Sequence, residues 1–461
     1  MIVLKFGGAA LADTKNVENS INYIKRVKEK NPIVVVSAMK GITDLLLDTI
    51  DESLNKNYEK TVRNIDELRL KHEKVINDLV KSNEIKKNIL KYFEDRCNEL
   101  ETLLYSISTL QECSEKSKDY IVSFGEKLSS TMVSSILSDQ ELESVQFDGE
   151  DLIRTDSNFN NAYPDFKETN ILINKKLGDI SSIPVVAGFI GSNEKGHTTT
   201  LGRGGTDFSA SILAYCLDAK EVWYLKEVNG IMSADPKIVA NAKSIEKITY
   251  DEVAELSYFG AKVLHPIAVH PLKEKKIPSF VKNVYDFDFR GTEIVDELHN
   301  GNRCAKAVTS IKDISIVTVQ GKGMMGIPGI SGRVFSCLGK NKISIIMISQ
   351  SSSEQNICFA IKSNQNEQAI KSLKEEFTIE LHNNQIQEIS LKEEVSIISV
   401  VGSGLKNAPI LIGKIFTSLG EKNINPVMIA LGSSELNISF IVESINVKDA
   451  ILTTHNNVVG E

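Results

Sequence analysis

Two short segments carry the residue types from which anion chemistry can be built. Lys5-Phe6-Gly7-Gly8 follows the apolar run Ile2-Val3-Leu4, and Thr198-Thr199-Thr200-Leu201-Gly202-Arg203-Gly204-Gly205-Thr206-Asp207 lies near the middle of the chain. A strand that runs into two glycines lets backbone N–H groups approach an anion closely, and Lys5 adds a charge. The second segment adds four hydroxyls, a carboxylate and a guanidinium able to grip a carboxylate with two hydrogen bonds. A solvated turn needs no such density, so this segment is read as a ligand site. Two sites of this kind on one chain point to two anionic ligands brought together for reaction.

Further segments are less specific taken singly. Ser37-Ala38-Met39-Lys40-Gly41-Ile42-Thr43 follows the continuous apolar run Ile33–Val36 and places small and hydroxylic residues at a second strand end. In Ser123-Phe124-Gly125-Glu126, spacing alone makes Glu126 a helix N-terminal charge, favourable against the dipole; the alternative is a carboxylate that pairs with a ligand ammonium. Gly230–Lys237 reads as a turn with polar tips. In Phe259–Pro266, Lys262 reads as a surface lysine. Gly321, Gly323 and Gly326 fit a dinucleotide fingerprint, but no acidic residue follows about twenty positions on to hold a ribose. The second copy of this segment has Asn407 where a third glycine belongs, so an oxidoreductase reading is weak.

The elements that must position these residues read as alternating strands and helices. Strand-like runs recur at 144–147, 184–187 and 221–225, which predicts an α/β sandwich of parallel strands with ligands at their carboxyl ends. Residues 44–120 are nearly free of Gly and Pro. Ile65, Leu68, Val75, Ile76, Leu79 and Val80 recur at helical spacing there, which predicts a helical insertion. Beyond about residue 305 an internal repeat runs without a gap. Val317–Gly323 recurs as Ile398–Gly404, Phe335 as Phe416, Gly339 as Gly420, Met347-Ile348 as Met428-Ile429, Ser352–Glu354 as Ser433–Glu435, and Phe359 as Phe440. Each copy reads strand, glycine turn, helix, strand, turn, strand, the front of a βαββαβ module. Two such modules pair with each other or across a subunit interface.

Composition bounds the rest. A chain of 461 residues with 41% hydrophobic content predicts two to four domains. A net charge of −8 argues against nucleic acid or an anionic membrane as the main partner. No apolar run is long enough to span a bilayer, and no signal peptide is read at the N-terminus. The six cysteines (97, 113, 216, 304, 337, 358) are scattered and the seven histidines form no ligand pair. This predicts reduced thiols, a cytoplasmic setting and no metal site.

The order Lys-Phe-Gly-Gly, Ser-Ala-x-x-Gly-x-Thr, Ser-x-Gly-Glu, Gly-Arg-Gly-Gly-Thr-Asp and Phe-Gly-Ala-Lys-Val-Leu-His-Pro resembles the aspartate kinase family over nearly the whole chain. The resemblance implies an amino-acid-kinase sandwich over residues 1–300. Two ferredoxin-like ACT modules follow, at 308–390 and 391–461, whose ends can be shared between them. It implies transfer of the ATP γ-phosphoryl group, with Mg²⁺ arriving on the nucleotide, to the β-carboxylate of L-aspartate. In that frame Lys5 stabilises the transferring phosphoryl and Asp207 orients the cationic groups. Phe6, Gly7 and Gly8 approach the phosphates, and Lys226, Glu227, Met232, Asp235, Lys237 and Lys262 face the nucleotide. Arg203 grips the aspartate α-carboxylate, Glu126 pairs with its ammonium, and Ser37, Thr43, Phe189, Gly204, Gly205 and Thr206 line the same pocket.

Departures from the family pattern fall on the nucleotide side: Ala9 and Ala10 replace hydroxyl residues, and Lys226-Glu227, Met232 and Lys237 replace Thr-Asp, Tyr and Arg. The ACT pair implies self-association as dimer or tetramer and a feedback amino acid, lysine and/or threonine. Candidate effector residues are Gly323, Met324, Gly329, Met347, Ile348, Ser349 and Gln350; Met347 and Ile348 read equally as strand core. Ile346 stands where lysine-sensitive relatives commonly have Asp. The length is read as speaking against a fused dehydrogenase. A non-catalytic sensor with a degenerate kinase domain, and a related kinase with another amino-acid substrate, are the alternatives.

Overall fold

The computed structural model describes residues 1–261, 264–298, 305–324, 327–350, 355–405, 408–432 and 436–459. Lys262, Val263, Cys304, Gly326, Ser352–Glu354, Asn407 and Ser433–Glu435 lie outside the described residues. Met1–Ile231, Ser244–Ala254 and Leu264–Leu298 form one compact unit; Met232–Lys243, Glu255–Val263 and His299–Glu461 form another.

The first unit is built on runs apolar enough to be covered on both faces. Strand β1 (Ile2–Phe6) leads to α1 (Thr14–Arg26), and β2 (Pro32–Val36) to four successive helices: α2 (Ile42–Leu54), α3 (Tyr58–Leu79), α4 (Asn83–Leu110) and α5 (Glu115–Asp139). Then come β3 (Ser144–Phe147), α6 (Phe166–Leu177), β4 (Ile183–Ala187), β5 (Ile190–Ser192), β6 (Thr198–Thr200), α7 (Gly205–Cys216) and β7 (Val222–Lys226). The last elements are β8 (Lys247–Thr249), α8 (Tyr250–Tyr258), α9 (Pro266–Glu274), β9 (Ser279–Asn283) and β10 (Thr292–Val295). Eight strands form one sheet in the order β3-β4-β2-β1-β7-β9-β10-β8, parallel except for β9 against β10, and β5 and β6 form a hairpin of their own. Every residue of β1 and β2 is buried.

The predicted helical insertion is present and longer than the pattern suggested. Asn57, Ser82 and Ser114 cap α3, α4 and α5 by accepting from the backbone N–H of Lys60, Ile85 and Ser117, so each helix starts where a side-chain oxygen satisfies its free donors. Helix α5 then continues to Asp139 because Ile121, Val122, Phe124, Leu128, Met132, Val133, Ile136 and Leu137 are all buried. Glu126 therefore sits in a helix interior. The simple reading of it as an N-terminal helix charge fails, since the helix starts eleven residues earlier, at Glu115.

In the second unit, β11 (Ala307–Gln320), α10 (Ile330–Lys340), β12 (Met347–Gln350), β13 (Asn356–Lys362), α11 (Asn366–Glu376) and α12 (Thr378–His382) form one set. The second set is β14 (Glu388–Val401), α13 (Pro409–Glu421), β15 (Met428–Leu431), β16 (Asn437–Glu443) and α14 (Val447–Val458). The repeat read from sequence is a structural repeat. The six strands share one antiparallel sheet, β12-β13-β11-β14-β16-β15. The two long strands bend at equivalent points, where Asp313 (φ 56°) and Glu394 (φ 54°) adopt left-handed backbone. Beyond the bend, Ile314–Gln320 pairs with β13 and with the start of β14, whereas Ala307–Ile311 pairs with Ile397–Val401. The start of β11 thus supplies an outer strand to the second βαββαβ arrangement.

Candidate active site

The cleft forms where β1, β2 and β4 end. It encloses about 440 Å³ and is lined by Lys5, Gly8, Ser37, Thr43, Glu126, Phe189, Arg203, Gly204, Gly205, Thr206 and Asp207, eleven residues that sequence reasoning had singled out from five separate segments. Ala9, Ala38, Met39, Lys40, Gly41, Asp44 and Gly202 complete the lining.

At its floor, Lys5 Nζ lies 2.7 Å from Asp207 Oδ1, and Lys226 Nζ lies 3.8 Å from Asp207 Oδ2. The sheet explains the meeting. Lys5 on β1 is in register with Tyr224 on β7, and Lys226 is two residues further along β7, so both lysines stand on the face that carries α7. Burial pushes the Asp207 carboxyl upward, but the Lys5 and Lys226 charges outweigh it and hold it below the usual carboxylate range. Burial lowers the Lys226 ammonium against the pull of Asp207.

Two helices open into this cleft without side-chain caps. The N-cap of α2 is Gly41 (φ 82°) and that of α7 is Gly204 (φ 76°). Free N–H groups and the positive end of the dipole at each favour an anion. Arg203 stands between Gly202 (φ 70°) and Gly204, two left-handed positions that an L side chain rarely adopts. A Cβ on Gly202 would lie 2.5 Å from Asn161 Oδ1, and one on Gly204 would lie 2.4 Å from His265 Cβ. Arg203 itself is exposed, and among the described residues its guanidinium has no hydrogen-bond or ion-pair partner. Phe189 holds a left-handed φ of 69°, strained for an aromatic residue, and its N–H donates to Ser209 Oγ.

Glu126 is 3% exposed, and its buried Oε2 has no hydrogen-bond partner among the described residues. Burial pushes its carboxyl up to about 8, against the Ala38 N–H and the Lys5 charge. An acid kept neutral beside a cleft is poised to ionise when a cation arrives.

The hydroxyl-rich segment corrects the sequence reading in part. The Thr198 hydroxyl donates to Glu150, Thr199 shares a 2.6 Å hydrogen bond with Thr155, and Thr200 donates to Asp119 at 2.7 Å. These three serve the loop's own architecture, because β6 is buried along its whole length. Of the four, Thr206 borders the cleft, where it accepts from Ser37 Oγ at 2.9 Å.

The residues assigned to the nucleotide separate. Phe6 is 1% exposed and belongs to the core, so its side chain is withdrawn from the cleft. Gly7 caps the short turn after β1. Glu227 is exposed and accepts from Tyr285 at 3.3 Å. Met232, Asp235 and Lys237 belong to the second unit, where Asp235 Oδ1 accepts from the Lys237 N–H.

The effector candidates also divide. Gly323, Met324 and Gly329 border a cavity of about 80 Å³ with Arg333 and Glu380. Met347 is buried with Ile316 and Met428 in a different apolar cluster from Met324. Ile348 is 47% exposed, which removes the strand-core reading for it. Ser349 stands opposite Cys358, and Gln350 Oε1 accepts from Ser331 at 3.5 Å.

Sequence reasoning missed Lys40 and Asp119. Lys40 stood inside a motif already noted and needed only its charge to be counted. Asp119 lies one helical heptad before Glu126, a spacing that carries no signal until the helix is known. Among the described residues no cluster of three or more His, Cys, Asp or Glu could hold a metal ion, and no helix is long and apolar enough to cross a membrane. Among the described residues, Cys97, Cys113, Cys216, Cys337 and Cys358 form no disulfide.

Together these features define a three-layer kinase-type sandwich with an anion cleft at its strand ends, followed by paired βαββαβ modules. The amino acid kinase family pattern matches residues 1–283, and the ACT domain pattern matches 317–377 and 398–458. The bifunctional aspartokinase/homoserine dehydrogenase of Buchnera aphidicola is 32% identical over 99% of this chain and 56% of its own length. Aspartokinase 1 (chloroplastic) of Arabidopsis thaliana is 30% identical over 98% of this chain and 79% of its own. E. coli aspartokinase III superposes with a TM-score of 0.84 in its complex with aspartate and ADP, and 0.80 in its complex with lysine and aspartate. Its identity to this chain is 28% and 27% in the two, with 99% of both chains covered. The chain belongs to the amino acid kinase family, within its aspartokinase branch. It spans about half the length of the bifunctional relatives it matches.

Proposed function

We propose that this chain transfers the γ-phosphoryl group of MgATP to the β-carboxylate of L-aspartate, giving 4-phospho-L-aspartate and ADP. The observation that carries the reading is one cleft in which Lys5, paired with Asp207, shares a boundary with the Arg203 guanidinium, which has no partner among the described residues, and the buried Glu126 carboxyl.

The chemistry follows from charge. Aspartate's β-carboxylate is already ionised at neutral pH, so no strong base is needed. One carboxylate oxygen attacks the γ-phosphorus, the bond to the bridging oxygen breaks, and its electron pair leaves on ADP. The obstacle is bringing an anion against a triphosphate, so catalysis rests on alignment and on donors that follow the moving charge. Arg203 holds the α-carboxylate, Glu126 the ammonium, and Ser37, Thr43 and Thr206 the remaining polar groups. Lys5, held by Asp207, and the open turn of α7 meet the transferring phosphoryl. Mg²⁺ comes as part of the nucleotide substrate, with phosphate oxygens as its ligands.

The ACT pair serves as the sensor for a feedback amino acid, lysine and/or threonine, in a cytosolic homo-oligomer. The lysine complex of the E. coli relative supports this reading. The test is ADP release that requires both ATP and aspartate, repeated across an amino-acid panel and with lysine, threonine or both. Release without aspartate preference, or no ATP binding at millimolar concentration, favours the alternative substrates or the sensor.

A pH dependence follows from Glu126. In the empty site its carboxyl ionises near 8; a bound ammonium favours the ionised form, so binding aspartate below that pH expels a proton. The Kd for aspartate should fall as pH rises from about 6.5 to 8, by up to about tenfold per unit. Glu126→Gln should bind weakly with a flat profile over the same range, as measured by calorimetry. A slope that survives in the variant contradicts this role.

A further inference from the structure

We infer that Asp119 is a positioning residue for Arg203: its buried carboxylate ties together the two backbone segments that fix where the guanidinium points. This inference rests on the proposed role of Arg203 toward aspartate.

Arg203 makes no polar contact of its own among the described residues, so its direction is set by the backbone that carries it. That backbone is gripped from beneath. Asp119 is 1% exposed on α5. Its Oδ2 accepts from the Thr200 N–H at 2.8 Å and from the Asn160 N–H at 2.9 Å, and its Oδ1 accepts from the Thr200 hydroxyl at 2.7 Å. One carboxylate thereby joins the end of β6 to the turn at 158–161.

The junction it makes is the seat of the arginine loop. The Ala162 N–H donates to Thr200 O at 2.9 Å, which keeps the two segments in register. Gly202 then lies against Asn160 O and Asn161 Oδ1, so closely that a Cβ there would stand 3.1 and 2.5 Å from them. Asn160 itself is left-handed (φ 65°), a conformation its bond to Asp119 holds in place. The arginine follows Gly202 directly. Glu126 lies seven residues along the same helix, so α5 carries both the carboxylate that sets the Arg203 loop and the one that faces the ligand ammonium. A rigid two-turn span thus fixes the separation between the groups that would hold the two ends of an α-amino acid.

A buried carboxylate with three donors is also what pure scaffolding looks like, and the experiment separates the two roles. In the full-length protein, Asp119→Asn keeps one acceptor oxygen and puts an NH2 donor in place of the other, so the side chain can no longer accept from the Thr200 hydroxyl and from the Thr200 and Asn160 N–H groups together. We expect the KM for aspartate to rise at least about tenfold, with the KM for ATP and kcat per active site little changed. Thr200→Val, which removes one donor and keeps the volume, should shift the aspartate KM in the same direction by less, and it decides the matter if Asp119→Asn does not fold. In an Arg203→Ala background the effect of Asp119→Asn on the aspartate KM should vanish, because its route is gone. A lower melting temperature or lower active fraction with an unchanged aspartate KM in both variants overturns the inference, as does full additivity with Arg203→Ala. If Arg203→Ala alone leaves the aspartate KM unchanged, the reading of Arg203 fails, and that result is distinct from the others.

Discussion

Exchanging Lys5 for methionine is expected to lower kcat by about 100- to 1,000-fold, the scale of losing one donor aimed at developing charge, while the KM for aspartate changes far less. Lys5 is at the floor of the cleft, 2.7 Å from Asp207, and the carboxylate keeps the ammonium from swinging toward solvent before the phosphoryl arrives. Its loss also strands part of a buried charge. Asp207 would keep only Lys226, 3.8 Å from its other oxygen, and breaking a buried pair costs about 3–5 kcal/mol when nothing replaces the partner. Stability and catalysis must therefore be separated. The double variant Lys5→Met, Asp207→Asn removes the stranded charge and should recover melting temperature without recovering kcat. Recovery of kcat with stability would mean that Lys5 serves the fold and leaves the reaction to other groups. The pH dependence has a defined sign. The Asp207 carboxyl is held low in the folded protein, so its contribution is present above the unfolded carboxylate range and fades as pH falls through the folded value. Both variants should lose that acid-side dependence.

The second large effect belongs to Arg203. Arg203→Ala should raise the KM for aspartate by about 10- to 100-fold, since a charge-assisted hydrogen-bond pair contributes roughly 1.5–3 kcal/mol. The melting temperature should hardly move, because the side chain is exposed and has no internal partner among the described residues. Arg203→Lys should recover only part of the loss, because an ammonium cannot reproduce the planar two-point grip. Steady-state kinetics with saturating ATP measures both. Normal saturation by aspartate in the alanine variant contradicts the assignment.

What the amino-acid order made legible was whatever depends on local pattern. The run Ile33–Val36 reads as a covered strand because four apolar residues in succession leave no polar face. The doubled ACT pattern reads as a repeat because side chains that pack alike recur at one fixed offset, and the structure extends the match to left-handed turns at Lys342 and Asn423. The cleft residues were legible as types, since lysine, arginine and glycine-rich turns suit anions wherever they occur. What stayed hidden depends on partners far along the chain. The hydroxyls of Thr198, Thr199 and Thr200 look ligand-ready until Glu150, Thr155 and Asp119 are seen to claim them. Glu126 looks like a helix-start charge until the length of α5 is known. Gly230–Lys237 reads as a turn with polar tips, yet from Met232 to Lys243 the chain packs within the second unit, where Ser233 hydrogen-bonds His455 at 2.9 Å and Ala234 and Val239 join an apolar cluster around α13 and α14.

The most direct test of the account is to incubate the protein with MgATP, L-aspartate and hydroxylamine and to identify the trapped product by mass. The account predicts β-aspartyl hydroxamate, formed in step with ADP and slowed about 10- to 100-fold by Arg203→Ala at low aspartate. ADP formed without any hydroxamate, or a hydroxamate of a different acid, would contradict it.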